Sequence, residues 1–371
     1  MHSDTHHPHK SLNEREGIDK PENTGLDAIR SIQKIRRKPL DIDILVEKLL
    51  QGDIPSLSRA ITMIESTQPI HQEHAQKIIQ RCLPHANRSI RIGITGVPGV
   101  GKSTFIEAFG TYLTALGKKV AVLAIDPSSS ISKGSILGDK TRMEDLVKDP
   151  NAYIRPSASG TSLGGVSRKT RESIILCEAA GFDCILIETV GVGQSETAVH
   201  SMTDFFLLLH LAGAGDELQG IKRGIMEMAD AIVINKADGD NLEKARHAKL
   251  DINRALQLFP LKDSQWKPKV LLASAYHKQG IDAVWQLISD YIAMTKNNKY
   301  FDLQRNNQNI YWMRETIQEQ LLQQFYQNEI IESELAKEEQ RLKNHEKSPF
   351  SAAQDLLTLY KKLQQNKTQP E

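Results

Sequence analysis

Gly96-Val97-Pro98-Gly99-Val100-Gly101-Lys102-Ser103 decides the fold of this chain. Ile90, Ile92 and Ile94 alternate just before it, and a helix-like run extends from Lys102 to about Leu116 after it. Alternation marks a strand, because successive strand side chains point to opposite faces. A strand, this glycine spacing, a Lys-Ser pair and then a helix match a phosphate-binding loop at every defined position. Residues without side chains let successive backbone amides point inward, and the helix amino terminus adds partial positive charge. Lys102 is expected to reach the outer phosphates and Ser103 to offer a hydroxyl to magnesium, with Thr104 beside them.

Working outward, further apolar runs occur at Val120 to Ile125, Cys184 to Ile187, Phe205 to Leu211, Ala231 to Ile234 and Val270 to Ala273. Segments long enough for amphipathic helices separate them. This pattern predicts an α/β fold: a P-loop NTPase with a mostly parallel, doubly wound sheet covered on both faces. Of the 23 glycines, 20 lie between Gly93 and Gly280. Glycine collects where a backbone turns sharply or a ligand comes close, so one turn-rich domain is expected between helical extensions. The predicted organisation is a polar tail over 1–38, helices over 39–87, the nucleotide domain over 88–298 and a helical carboxyl-terminal extension over 299–371. In the first extension, Ile44, Leu45, Leu49, Ile61 and Ile64 recur at helical spacing and Pro55 suits a first turn.

Composition narrows the function. Forty-seven Lys and Arg against 46 Asp and Glu leave a net charge of +1, so no overall field recruits nucleic acid or an anionic membrane. The longest apolar stretch is too short to span a bilayer, and no apolar core follows Met1. Three cysteines without short paired spacing, Cys82, Cys177 and Cys184, fit a reducing compartment, and a cytoplasmic location is expected.

In doubly wound sheets, ligand groups come from the carboxyl ends of strands. Asp126 and Glu188 stand at two such ends as candidate metal and catalytic carboxylates, although Asp126 before Pro127 also suits a plain turn. Gly191 is placed to offer its amide to a terminal phosphate while Glu188 orients a magnesium-bound water. Residues 134–143 suit a mobile loop with Asp139 as a metal-linked switch residue, and an ordinary surface loop would look similar. After the strand at Ala231 comes Asn235-Lys236-Ala237-Asp238. Its carboxylate can accept two hydrogen bonds from a guanine edge that adenine lacks, while the Lys236 stem lies over the ring. Ser274 and Ala275 are expected to close the base pocket with backbone amides, next to Tyr276.

These elements in this order, with Glu in place of the usual Asp of the second switch, resemble the methylmalonyl-CoA-mutase-associated GTPase family, called MeaB or ArgK. The likeness covers roughly 40–330 and rests on Ala124-Ile-Asp-Pro-Ser-Ser, Gly138-Asp-Lys-Thr-Arg-Met, Tyr153-Ile-Arg-Pro-Ser, Ile187-Glu-Thr-Val-Gly-Val-Gly-Gln-Ser-Glu and Ala214-Gly-Asp-Glu-Leu-Gln-Gly-Ile-Lys-Arg-Gly-Ile. The resemblance implies a GTP/GDP-cycling, magnesium-dependent chaperone that gates adenosylcobalamin delivery to a methylmalonyl-CoA mutase and protects or reactivates it. It also implies a homodimer, a magnesium site surrounded by Asp126, Asp139 and Glu188, and a third switch over Gly213 to Arg223 with Lys222 as its functional lysine. No arginine stands in the P-loop or second switch to act in cis, so slow hydrolysis stimulated by the mutase is expected. The amino-acid transport kinase role attached to the older name has no support in these residues.

Two other readings remain at this stage. His2, His6, His7 and His9 admit a nickel-type metallochaperone GTPase, against which stands the lack of a cysteine pair near the P-loop. A GTP-sensing scaffold that barely hydrolyses is the other. Beyond Asn298 the chain holds 12 glutamines, with Ile310, Met313, Ile317, Leu321 and Phe325 at spacings of three and four. Such a stripe marks a helix that must bury one face, within the chain or across a dimer seam. Ser348 and Pro349 look like the cap and first residue of a last helix.

Overall fold

Seven strands form one all-parallel sheet in the order β3-β2-β4-β1-β5-β6-β7. In this computed structural model the described residues are 41–125, 143–156, 163–189, 195–213 and 223–367. The strands are β1 Ile90–Gly96, β2 Val120–Ile125, β3 Ala152–Arg155, β4 Cys184–Thr189, β5 Phe205–Leu211, β6 Ala231–Asn235 and β7 Lys269–Leu272. β2, β4 and β6 are buried along their whole length, as apolar runs between two helical layers must be. Edge strands β3 and β7 each bury a single residue, Tyr153 and Val270. That is why β3 escapes the sequence reading: four residues with one buried side chain and a terminal arginine make no apolar run.

Among the described residues three α-helices precede the sheet: α1 Ile42–Leu50, α2 Ile54–Glu65 and α3 Pro69–Cys82. Asp53 caps α2 by accepting from the Ser56 amide at 2.9 Å, and Pro55 sits in its first turn. Among the sheet helices, α4 Lys102–Ala115 follows the glycine loop, α5 is Glu144–Lys148, α6 is Leu163–Ala179, α7 is Ser195–His200, α8 is Arg223–Met228 and α9 is Leu242–Leu256. After β7 come α10 Ile281–Asn297, α11 Tyr300–Tyr326, α12 Glu329–Lys343 and α13 Pro349–Lys367.

The sheet separates two cores. On one face Ile92, Ile94, Leu186, Phe205 and Leu207 pack with Phe105 and Phe109 of α4 and with Val284, Ile288 and Tyr291 of α10. On the other, Leu208, Ile232, Ile234 and Val270 meet Met226 of α8 and Ala245 and Ile252 of α9. The neighbours of β1 are β4 and β5, so the loop that follows β1 opens at the point where the chain order reverses. Open α/β sheets bind ligands there.

Of the two fates open to the α11 stripe, packing within the chain and a seam between copies, the first does not occur for most of it. Ile310, Met313, Ile317 and Leu321 are 49%, 56%, 50% and 57% exposed, and the buried face is instead Phe301, Arg305, Gln308 and Trp312. Phe325 alone of the stripe finds an aromatic partner, Tyr360 of α13, with ring centres 5.2 Å apart. Among the described residues, no helix is long and apolar enough to cross a membrane.

Candidate functional site

The loop between β1 and α4 has the backbone its sequence demands. Gly99 and Gly101 have φ of +80° and +91°, a region that side chains disfavour. A Cβ on Gly101 would lie 3.0 Å from Asn235 Nδ2, and one on Gly96 would lie 2.6 Å from the Leu209 carbonyl oxygen. Gly99 has open space around it, so the cradle is tight against the protein and free on its outer side. Gly96 and Val100 are buried, Val97 is half-buried and Pro98 is exposed.

Lys102 folds back over this loop, donating to the Gly96 carbonyl at 2.8 Å. Burial lowers its pKa from the usual 10.5, while the carboxylates of Glu188 and Glu196 favour its charged form. Ser103 follows half-buried in the first turn of α4, and Thr104 is exposed. Glu188 lies in β4 in register with Ile94 of β1 and Ala124 of β2, and is 5% exposed. One residue on, the Thr189 hydroxyl donates to Thr95 Oγ1 at 2.9 Å, tying the carboxyl ends of β4 and β1 together. The predicted metal carboxylates Asp126 and Asp139, together with Gly191 and Lys222, lie outside the described residues, as do the four amino-terminal histidines. Among the described residues no group of three or more metal-ligating side chains occurs.

The Asn235-Lys236-Ala237-Asp238 run is seated directly on the phosphate loop. Asn235 Nδ2 donates to the Val100 carbonyl at 2.9 Å and its Oδ1 accepts from the Ala275 amide at 3.1 Å. Lys236 reaches across the loop and donates to the Gly99 carbonyl at 2.9 Å. Asp238 accepts a short hydrogen bond from the Ser274 hydroxyl. The backbone amides of Ser274 and Ala275, expected to close a base pocket, are used inside the protein: Ser274 donates to the Gln279 carbonyl at 3.0 Å and Ala275 to Asn235. It is the Ser274 side chain that meets the candidate base-reading carboxylate. Tyr276 is 82% exposed at the rim.

Sequence reasoning missed three contributors. The Thr95–Thr189 pair and the Ser274–Asp238 bond depend on which strands become neighbours, which no local spacing reveals. Glu196, 1% exposed at the head of α7, lay inside a quoted family stretch but carried no recognisable local pattern.

A lysine-bearing glycine loop at the switch point of a parallel sheet, clamped by an Asn-Lys-x-Asp run, defines a P-loop nucleotide-binding protein. The methylmalonyl-CoA mutase-associated GTPase family model, MeaB, matches residues 57–330, and the chain belongs to that family. It is 46% identical to a probable GTPase of Mycobacterium tuberculosis over 86% of this chain and 95% of the relative. It is 44% identical to the GTPase ArgK of Escherichia coli over 84% of this chain and 94% of that one. A mouse mitochondrial protein named methylmalonic aciduria type A homolog is also 44% identical, over 86% of this chain and 80% of its own length. Among solved structures, an LAO/AO transport system kinase is similar with a TM-score of 0.69 and 36% identity, over 87% of this chain and all of that one.

Proposed function

We propose that this protein binds and hydrolyses GTP with magnesium and uses the cycle as a chaperone for an adenosylcobalamin-dependent methylmalonyl-CoA mutase, acting as a homodimer in the cytoplasm. The observation that carries the GTPase reading is the seating of the base-reading run on the phosphate loop: Asn235 on the Val100 carbonyl and Lys236 on the Gly99 carbonyl. Base recognition and phosphate binding thereby share one rigid frame. The chaperone reading rests on family membership and on the name of the mouse relative.

Phosphoryl transfer to water needs positioning and charge stabilisation more than covalent help. In this reading the loop amides between Gly96 and Thr104, apart from Pro98, which has no N–H, hold the phosphates, and Lys102 neutralises the outer ones. Asp238 accepts from the guanine edge, with Ser274 fixing its carboxylate and Tyr276 at the rim. The donor set fits a hard cation, since Ser103 brings a hydroxyl and Glu188, with Asp126 and Asp139, brings carboxylates. Magnesium bound there would offset the charge that builds on the phosphate oxygens. Glu188 orients the attacking water, Gly191 senses the terminal phosphate, and Lys222 works in a third switch. The useful output is the difference in loop conformation with and without that phosphate.

Phosphate release from GTP and from ATP, measured alone and with a cobalamin-dependent mutase, tests the proposal. Slow GTP turnover, faster with mutase and lost in Lys102→Ala, is expected. Equal use of ATP defeats the guanine assignment, and a rate indifferent to the mutase defeats the client.

A further inference from the structure

We propose that α11 is a lever that reads the nucleotide site through α7, so that a change at the phosphate-loop end of α7 repositions α11 and the exposed stripe it carries. The proposal rests on the GTPase reading above. α7 lies hard against the strand that feeds the phosphate loop: a Cβ on Gly93 of β1 would sit 2.8 Å from Val199 Cγ1 of α7. Gly93 is three residues before Gly96. At the head of α7, the Glu196 carboxylate is buried and acts on the charge of Lys102. At about 1.5 Å per residue this six-residue helix is a strut of roughly 9 Å, too short to bend.

The far end of the strut is the turn from Ser201 to Asp204 that leads into β5, and α11 grips that turn residue by residue. Gln304 and Gln308 both donate from Nε2 to the Thr203 carbonyl, at 3.2 and 2.7 Å. Trp312 Nε1 donates to the Ser201 carbonyl at 3.1 Å. Arg305 spans the Asp204 carboxylate with Nε and Nη2 at 2.8 and 2.7 Å, and the same carboxylate accepts from the Arg91 amide of β1 at 2.8 Å. A helix held by apolar contact can slide, whereas one held by hydrogen bonds must follow its acceptors, because such bonds weaken steeply as distance and angle depart from optimum. The gripping positions 304, 305, 308 and 312 form one face of α11, while Ile310, Met313, Ile317 and Leu321 stand exposed away from it. Two residues of the glutamine-rich end thereby gain a role that the GTPase site does not assign.

Trp312 is a built-in reporter at the grip, and the chain has three tryptophans, so fluorine NMR of full-length protein labelled with 5-fluorotryptophan tests the lever. Trp312→Phe assigns its resonance. Spectra are compared with saturating GDP and with a non-hydrolysable GTP analogue, saturation being established by equilibrium titration. The lever requires that the Trp312 resonance differ between the two states, and that Gln304→Ala with Gln308→Ala remove most of the difference while both nucleotides still bind. An identical Trp312 resonance in two saturated states overturns the lever and leaves GTP binding standing. An undiminished shift in the glutamine variant overturns the grip as its route, and failure to bind either nucleotide removes the lever and the GTPase reading together. Should the double variant not fold, the wild-type comparison decides alone.

Discussion

Gly101 serves two needs at once: it takes a φ of +91° at the start of α4, and its missing side chain makes room for Asn235 Nδ2 3.0 Å from where a Cβ would be. Gly101→Ala should cost about 1–2 kcal/mol in backbone strain and push on the Asn235 bond to Val100. A lower Tm in calorimetry and roughly tenfold weaker GTP binding are expected, tenfold being about 1.4 kcal/mol. Unchanged affinity would mean that the clamp is not part of the binding frame. Asp238 offers a different residue-scale test, since its carboxylate is the group proposed to separate guanine from adenine. Asp238→Asn replaces one acceptor by a donor, so GTP binding should fall by about 1.5–3 kcal/mol and xanthosine triphosphate should gain. Competition of the two nucleotides for the variant reads this directly, and retained preference for GTP would remove Asp238 from base recognition. Both residues were legible in the sequence because their chemistry is local. Ser274 as the partner of Asp238 was legible only in part, since the bond exists because β7 lies beside β6.

At the scale of elements, α11 is where periodicity and packing part company. A count of apolar residues selects Ile310, Met313, Ile317 and Leu321, yet the face that packs inward combines Phe301 and Trp312 with Arg305 and Gln308. Polar residues can line a buried face when every turn finds a partner. Arg305 does so at the amino ends of β1 and β5, next to a second buried ion pair, Arg91 with Glu178, at 2.9 Å. Burial pushes the Glu178 carboxyl up, but the Arg91 guanidinium, the Asn87 amide and the Ser89 hydroxyl together hold it below its ordinary 4.5. Its folded value therefore lies below its unfolded value. The stability it contributes is complete above about pH 4.5 and is lost as pH falls through the folded value. Glu178→Gln leaves Arg91 buried beside a neutral group, which should cost about 3–5 kcal/mol near pH 7. Thermal melts of both proteins as a function of pH should run parallel above pH 5 or so and converge in acid. A gap that stays constant into acid would show that the charge of Glu178 is not what the network uses.

For the whole molecule, the exposed stripe on α11 departs from a self-contained chain, because apolar residues clustered on one exposed helix face mark an interaction surface. In the proposed homodimer that face meets a second copy. Ile317→Glu combined with Leu321→Glu should yield a monomer of unchanged fold, read by size exclusion with light scattering and by circular dichroism. A dimeric mass in the double variant would place any dimer contact elsewhere. By itself the sequence determined the phosphate loop, the parallel α/β sheet around it, the position of the Asn-Lys-x-Asp run after its strand and the family, because each rests on residues adjacent in the chain or on a period within one element. Only the tertiary structure decided which face of α11 is covered, which edge strand completes the sheet, and that Asn235, Lys236 and Ser274 converge on the phosphate loop and Asp238. Those outcomes depend on strand order and on hydrogen-bond partners more than a hundred residues away in several cases, such as Asn235 with Val100 and Arg305 with Asp204, and no local pattern encodes a partner at that distance.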